Sequence, residues 1–200
     1  MTIQSSLTSL QELYGRTQEH HFADVMSLQV ASEASINDLN RRLKEVPNAD
    51  VLTIERFRPN IIVKGKLHPH RPHLDQTLTP KPTGRSDHPW EEDTWKRIRI
   101  TTSMPAEEAI YKMDLDVVAR CARCQVPNVN PDTAEKHPKQ PWDELMKFRR
   151  VDTGGPAKYK PCFGMLCVPK NEGVVQVGAK LEVLETTDKH LYSITPFKDL

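Results

Sequence analysis

Apolar residues alternate at Met26, Leu28 and Val30, which predicts a half-buried strand over 25–31. The period changes at Ser32. Ile36, Leu39 and Leu43 recur at helical spacing, Ser32 suits the N-cap, Arg41 and Arg42 fall on the water-facing side, and Pro47 ends the pattern. Residues 51–63 read as two extended pieces joined at Arg58-Pro59-Asn60, because Pro59 lacks a backbone donor and biases Arg58 toward an extended conformation. Periodicity is lost over 66–90, where His68, His70 and His73 are interleaved with prolines, and an excursion loop is predicted. It returns with an acidic turn between Trp90 and Trp95, a strand bearing Ile98 and Ile100, a helical stretch around 105–112, and the apolar run 115–119. A helix over 142–150 follows Pro141, which suits a first helical turn. Short strands at 163–168, 174–177 and 181–184, broken by glycine, predict a closed or strongly curved sheet. Residues 1–22 are polar, with Leu7, Leu10 and Leu13 as a short helical stripe.

Composition narrows the classes. The chain has 200 residues, enough for one domain with a substantial core. A net charge of +1 gives no long-range field to recruit nucleic acid or anionic membrane. Sixteen prolines against eight glycines point to long ordered loops rather than many tight hairpins. The mean hydropathy is −0.60 and no window approaches the roughly 20 apolar residues of a transmembrane segment. The first residues lack the basic and apolar regions of a secretory signal, and four cysteines without one point to free thiols in a reducing compartment. The expectation is a soluble intracellular protein.

The chemistry concentrates at Cys121-Ala122-Arg123-Cys124, where two thiols and a guanidinium follow an apolar run. A thiol at a strand end beside a fixed positive charge is poised to ionise. A C-x-x-C is also half of a zinc site, a redox pair, or two packed small hydrophobes. The second pair, Cys162 and Cys167, is spaced more widely than closed zinc sites usually are, and Pro127 and Pro131 oppose the helix a redox pair needs. Arg58 and Asn60 suit an anion, since both point donors from a chain break; an arginine packed across a neighbouring strand fits equally well. Glu91-Glu92-Asp93 has no histidine partner nearby and reads as a solvated turn, and His20-His21 reads as solvated too. There is no Gly-rich phosphate loop and no Gly-x-Ser-x-Gly elbow.

Taken in order, several segments carry a family pattern: Ser32-Glu33-Ala34-Ser35 with Asp38-Leu39-Asn40; Arg56-Phe57-Arg58-Pro59-Asn60-Ile61-Ile62-Val63; and Glu92-Asp93-Thr94-Trp95. Cys121-x-Arg123-Cys124 with Asn130-Pro131-Asp132-Thr133, Phe148-Arg149, Phe163-Gly164 and Val175-x-Val177-Gly178 continue it. The chain thereby resembles the MOSC domain, shared by molybdenum cofactor sulfurases and the amidoxime-reducing molybdenum enzymes. The resemblance implies a mixed α/β fold with a dominant β-barrel, a curved and largely antiparallel barrel with flanking helices. It divides the chain into a lead-in at 1–21, a MOSC domain at 22–186 with its Pro/His-rich loop at 66–90, and a tail at 187–200. It makes Cys124 the thiolate ligand of molybdenum and the catalytic position. Arg58 and Asn60 become donors to the molybdopterin and its phosphate, while Ala122 and Arg123 supply backbone and charge beside the metal. Ala122 stands where the family commonly has serine, and Pro127-Asn128 stand where it has a threonine pair.

The activity implied is a molybdenum-dependent oxidoreductase that reduces N-hydroxylated substrates with electrons from a b-type cytochrome, in the cytoplasm or associated with mitochondria. The alternative is a non-catalytic carrier of the cofactor or of sulfur, a truncated relative of those enzymes. Pyridoxal phosphate accompanies the family through a separate aminotransferase-like domain of fused sulfurases. No lysine here stands in a context supporting it, and the chain lacks room for that domain.

Overall fold

The computed structural model describes residues 26–65, 88–152, 154 and 158–190. The leucine stripe, His20-His21 and all but the last residues of the Pro/His-rich loop lie outside them.

Strand β1 (Leu28–Ser32) runs into helix α1 (Glu33–Leu43), and the Ser32 side chain caps the helix by accepting from the Ala34 amide at 3.1 Å. The apolar face of α1 buries Ile36, Leu39 and Leu43 against Leu52, Ile54, Phe57, Leu145 and Phe163. On its other side Asp38 is held by Arg41, Arg42 and the Trp90 indole; burial would raise its carboxyl, but these bonds outweigh it and keep it below the usual range. Strand β2 (Ile61–Val63) returns parallel to β1, with Val30 opposite Ile61. The remaining strands are β3 (Trp95–Met104), β4 (Ala109–Ala122), β5 (Cys162–Pro169) and β6 (Lys180–Thr186); helix α2 (Trp142–Phe148) precedes β5.

These six strands form one sheet in the order β2-β1-β5-β4-β3-β6, antiparallel everywhere except β1–β2. It curls into a half-barrel flanked by the two helices, the mixed α/β, barrel-like architecture expected. One core cluster joins Val30, Ile98, Ile100, Leu115, Val117 and Met165; the other lies beneath α1. There the rings of Phe57 and Phe163 stack with centroids 3.9 Å apart, worth about 0.5–1.5 kcal/mol beyond their buried area. Among the described residues no helix is long and apolar enough to cross a membrane.

Several local expectations are corrected. Strand β1 is buried on both faces rather than one, because Val30 packs into one core cluster and Ala31 into the other, beneath α1. Residues Ile54–Phe57 form a 3-10 turn instead of an extended piece, and Arg58 closes it in the left-handed region (φ 56°), its amide bonded to the Glu55 carbonyl. The helix expected around 105–112 is a three-residue turn, Pro105–Glu107, and β4 begins at Ala109 because pairing with β3 outweighs local preference. Residues 174–177 are not a strand: β6 pairs with β3 over Trp95–Thr101, and 174–177 form no ladder with the rest of that edge. The Asn171 and Gln176 amides instead bond the Lys112 and Ser103 carbonyls, fixing this loop to the β3–β4 hairpin with Val177 fully exposed. The acidic turn is not solvated, since Glu92 is completely buried and Asp93 nearly so.

Candidate functional site

Strand β4 carries the cysteine motif to the end of the sheet. Leu115, Val117 and Val118 anchor it in the core, and two register irregularities against β5 follow, the second between Arg120 and Ala122. Ala122 is the last paired residue, opposite Cys162, and the Arg123 amide then donates to the Pro161 carbonyl at 2.8 Å. Cys124 follows, exposed, before the tight turn Val126–Asn128.

That turn is organised by Asn128, which is wholly buried. Its Nδ2 donates to the His137 carbonyl and its Oδ1 accepts from the Trp142 amide, while the Trp142 indole donates to the Arg123 carbonyl at 3.3 Å. The loop leaving Cys124 is thus tied to the start of α2.

The Arg123 guanidinium points inward. It donates to Gln29 Oε1 at 3.1 Å, to Cys121 Sγ at 2.8 Å and to the Phe57 carbonyl, and it lies over the Phe57 ring. The fixed charge of the motif therefore contacts the first thiol. Its bond to Phe57 draws the turn ending in Arg58 toward the cysteine motif, and that turn also packs on Val126–Asn128. Arg58 and Cys124 are both exposed, on segments joined by this contact. Asn60 is locked to β1: its Oδ1 accepts from the Gln29 amide at 2.7 Å and its amide donates to the Gln29 carbonyl at 2.9 Å. Oδ1 is thereby committed to β1, and among the described residues no acceptor takes the Nδ2 donors.

Beneath the strand end lies a layer of buried charge. Asp93 receives Arg149 at 2.8 Å and Arg120 at 3.7 Å, and Arg120 also meets Asp152 at 3.3 Å. Arg149 lies over the Trp90 ring and donates to the Cys162 carbonyl at 3.0 Å, so the ion pair is fastened to the residue opposite Ala122. His190 approaches the Asp93 carbonyl at 2.8 Å, and burial holds its pKa below the ordinary value. Glu92 accepts from Ser35 at 2.6 Å; burial pushes its carboxyl up to about 7, against the opposing Ser35 bond.

The four cysteines separate into two kinds. Cys162 and Cys167 are buried, and burial raises both thiols, Cys162 to about 12. Cys121 is half-buried and Cys124 exposed. Among the described residues no three metal-ligating side chains converge, so the two pairs do not make a shared site there.

Arg58, Asn60, Ala122, Arg123 and Cys124 thus lie on two adjoining segments. Gln29 was missed: in an alternating strand it reads as an outward polar position. The Phe57 carbonyl carries no side-chain signal at all. Arg120 and Asp152 were missed as well, though an arginine at the end of an apolar strand is a cue to a buried acidic partner.

A MOSC domain family model matches residues 17–182. Among curated proteins, the chain is 28% identical over 165 residues to mitochondrial amidoxime-reducing component 1 of Homo sapiens, covering 82% of this chain and 38% of that protein. Mitochondrial amidoxime reducing component 2 of Rattus norvegicus is 28% identical over 169 residues, covering 84% and 39%. The human component 2 is 29% identical over 159 residues, covering 78% and 37%. The chain spans less than two fifths of the length of these relatives.

Proposed function

Since the chain belongs to the MOSC domain family, we propose that it binds a molybdenum cofactor at the junction of the β4 end with the Arg58–Asn60 turn. We infer that it serves there as a molybdenum-dependent oxidoreductase toward N-hydroxylated substrates such as amidoximes. The observation that carries this reading is the contact of Arg123 with the Phe57 carbonyl, which joins the segment leading to Cys124 with the turn ending in Arg58, both of these residues being exposed.

The donor set fits the group. Thiolate suits a soft metal, and a single protein sulfur suffices where the cofactor brings the other ligands. A planar guanidinium at Arg58 matches phosphate, and the Asn60 Nδ2 supplies a neutral donor next to it. Ala122 presents backbone beside Cys124, and Arg123 holds the two segments in register. When bound, the cofactor supplies two-electron reduction with removal of oxygen from nitrogen; the chain's part is to hold and orient it and leave a face open. Electrons would come from a b-type cytochrome. Association with mitochondria follows the named location of the relatives.

A second reading is a carrier that passes on the cofactor or sulfur through Cys124, favoured by the exposure of that thiol. Molybdenum and pterin are measured on purified protein, followed by amidoxime turnover with a chemical reductant. Bound molybdenum that is lost in Cys124→Ala is expected. Loaded protein without turnover leaves the carrier; absence of both groups from protein expressed with ample molybdate rejects the enzyme and the cofactor carrier, and a Cys124 bearing no added sulfur by intact mass rejects the sulfur carrier.

A further inference from the structure

Gln29 is a polar residue within buried β1, only 8% exposed, and its polar atoms make four hydrogen bonds to three residues. Its main chain pairs with Asn60 in both directions, at 2.7 and 2.9 Å. Its carboxamide accepts from Arg123 Nη1 at 3.1 Å and donates to the Phe163 carbonyl at 3.4 Å. Arg123 in turn donates to the carbonyl of Phe57, the residue before Arg58. The main-chain bonds to Asn60 need no particular side chain, whereas the other two need an amide of this length. Space is kept for it by Gly164 (φ 76°), where an added Cβ would come within 2.9 Å of Gln29 Nε2 and 2.8 Å of the Val30 carbonyl. Packing alone would be met by an apolar side chain of similar volume.

We propose that Gln29 is a positioning residue. Its carboxamide fixes the Arg123 guanidinium, and through Arg123 it sets the separation between the thiols of the β4 end and the Arg58–Asn60 turn. Its consequence for a ligand rests on the cofactor reading above; the clamp itself does not.

The test compares wild type, Gln29→Leu and Gln29→Glu by melting temperature, by pterin and molybdenum retained after desalting, and by iodoacetamide alkylation of Cys121 and Cys124 in cofactor-free protein. Gln29→Leu removes the acceptor for Arg123. It is expected to weaken cofactor retention about tenfold, the worth of one such bond, and to shift the alkylation rates of both thiols. Gln29→Glu keeps the acceptor for Arg123 but loses the donor to the Phe163 carbonyl, so it is expected to lower the melting temperature while recovering retention and alkylation rates relative to Gln29→Leu. A common loss of melting temperature with wild-type alkylation rates in both variants overturns the proposal. If Gln29→Leu does not fold, Gln29→Met makes the same deletion on an unbranched stem; failure of both to fold assigns Gln29 a structural role and overturns it too. Wild type that binds no pterin sinks the cofactor reading while the alkylation contrast still decides the clamp. Equal retention by wild type and Gln29→Leu sinks the clamp and leaves the cofactor reading standing.

Discussion

The Arg149 guanidinium meets the Asp93 carboxylate at 2.8 Å, with side-chain exposures of 4% and 12%. Removing Arg149 leaves buried Asp93 with only the more distant Arg120, and removing Asp93 leaves the Arg149 guanidinium buried without this carboxylate. Arg149→Ala also loses the bond to the Cys162 carbonyl and the contact with Trp90, so a loss of about 3–5 kcal/mol in urea unfolding is expected. Asp93→Asn combined with Arg149→Ala is expected to cost less than the sum of the two, because the second change no longer leaves an unpaired charge.

Glu92 gives stability a pH dependence of known sign. Burial raises its carboxyl from 4.5 to about 7, against the Ser35 bond and the Arg149 charge and with the help of Asp93. An acid raised in the folded state binds its proton more tightly there than when unfolded. Its contribution is complete below pH 4.5 and is lost as pH rises through about 7, amounting to about 3 kcal/mol. Glu92→Gln is therefore expected to gain on wild type between pH 5 and pH 8 in urea titrations. His190, lowered by burial, contributes the opposite slope, present at higher pH and lost on acidification, but it is common to both proteins and cancels in the difference.

Thiol reactivity is expected to split the cysteines two and two. In folded protein at neutral pH, iodoacetamide labels Cys124 and, more slowly, Cys121, while Cys162 and Cys167 stay unlabelled until denaturant is added. Peptide mass analysis over time reads each site separately. Rapid native labelling of Cys162 would contradict its place opposite Ala122.

Gly164→Ala forces a Cβ into the left-handed region and against the Val30 carbonyl at 2.8 Å. A loss of about 1–3 kcal/mol is expected in equilibrium unfolding. The same change is expected to disturb Gln29 and so to alter cofactor retention in the manner of Gln29→Leu.

The half-barrel and its helices were legible where one period dominates. Ser32 with Ile36, Leu39 and Leu43 marks α1, and the alternation through Ile98 and Ile100 marks β3. The failures lie where tertiary contact overrides local pattern. Val174, Val175 and Val177 have strand-like composition, but they stay exposed, and a side-chain bond from Gln176 to the Ser103 carbonyl stands in for a ladder. Pro59 biases Arg58 toward extension, yet closing the Ile54–Phe57 turn requires the left-handed conformation. Glu92 looks like a surface acid because the chain does not reveal that Ser35, itself bonded to the Trp90 amide, will meet it in the interior. At the site, the spacing of the cysteine motif marked it as chemistry-bearing, and only the resemblance to the MOSC domain gave its residues roles. The contacts of Arg123 could not be read from the chain, since its partners are a main-chain carbonyl and a glutamine far away in sequence.

That distance has a consequence for biosynthesis. Gln29 and Arg123 are 94 positions apart, Phe57 and Arg123 are 66 apart, and Gln29 and Phe163 are 134 apart. Such long-range pairs form only after the entropy of closing large loops has been overcome. The full set of bonds cannot exist before Phe163 has left the ribosome, so Cys121 and Cys124 are made, and meet the surrounding solution, well before the frame that orients them is complete.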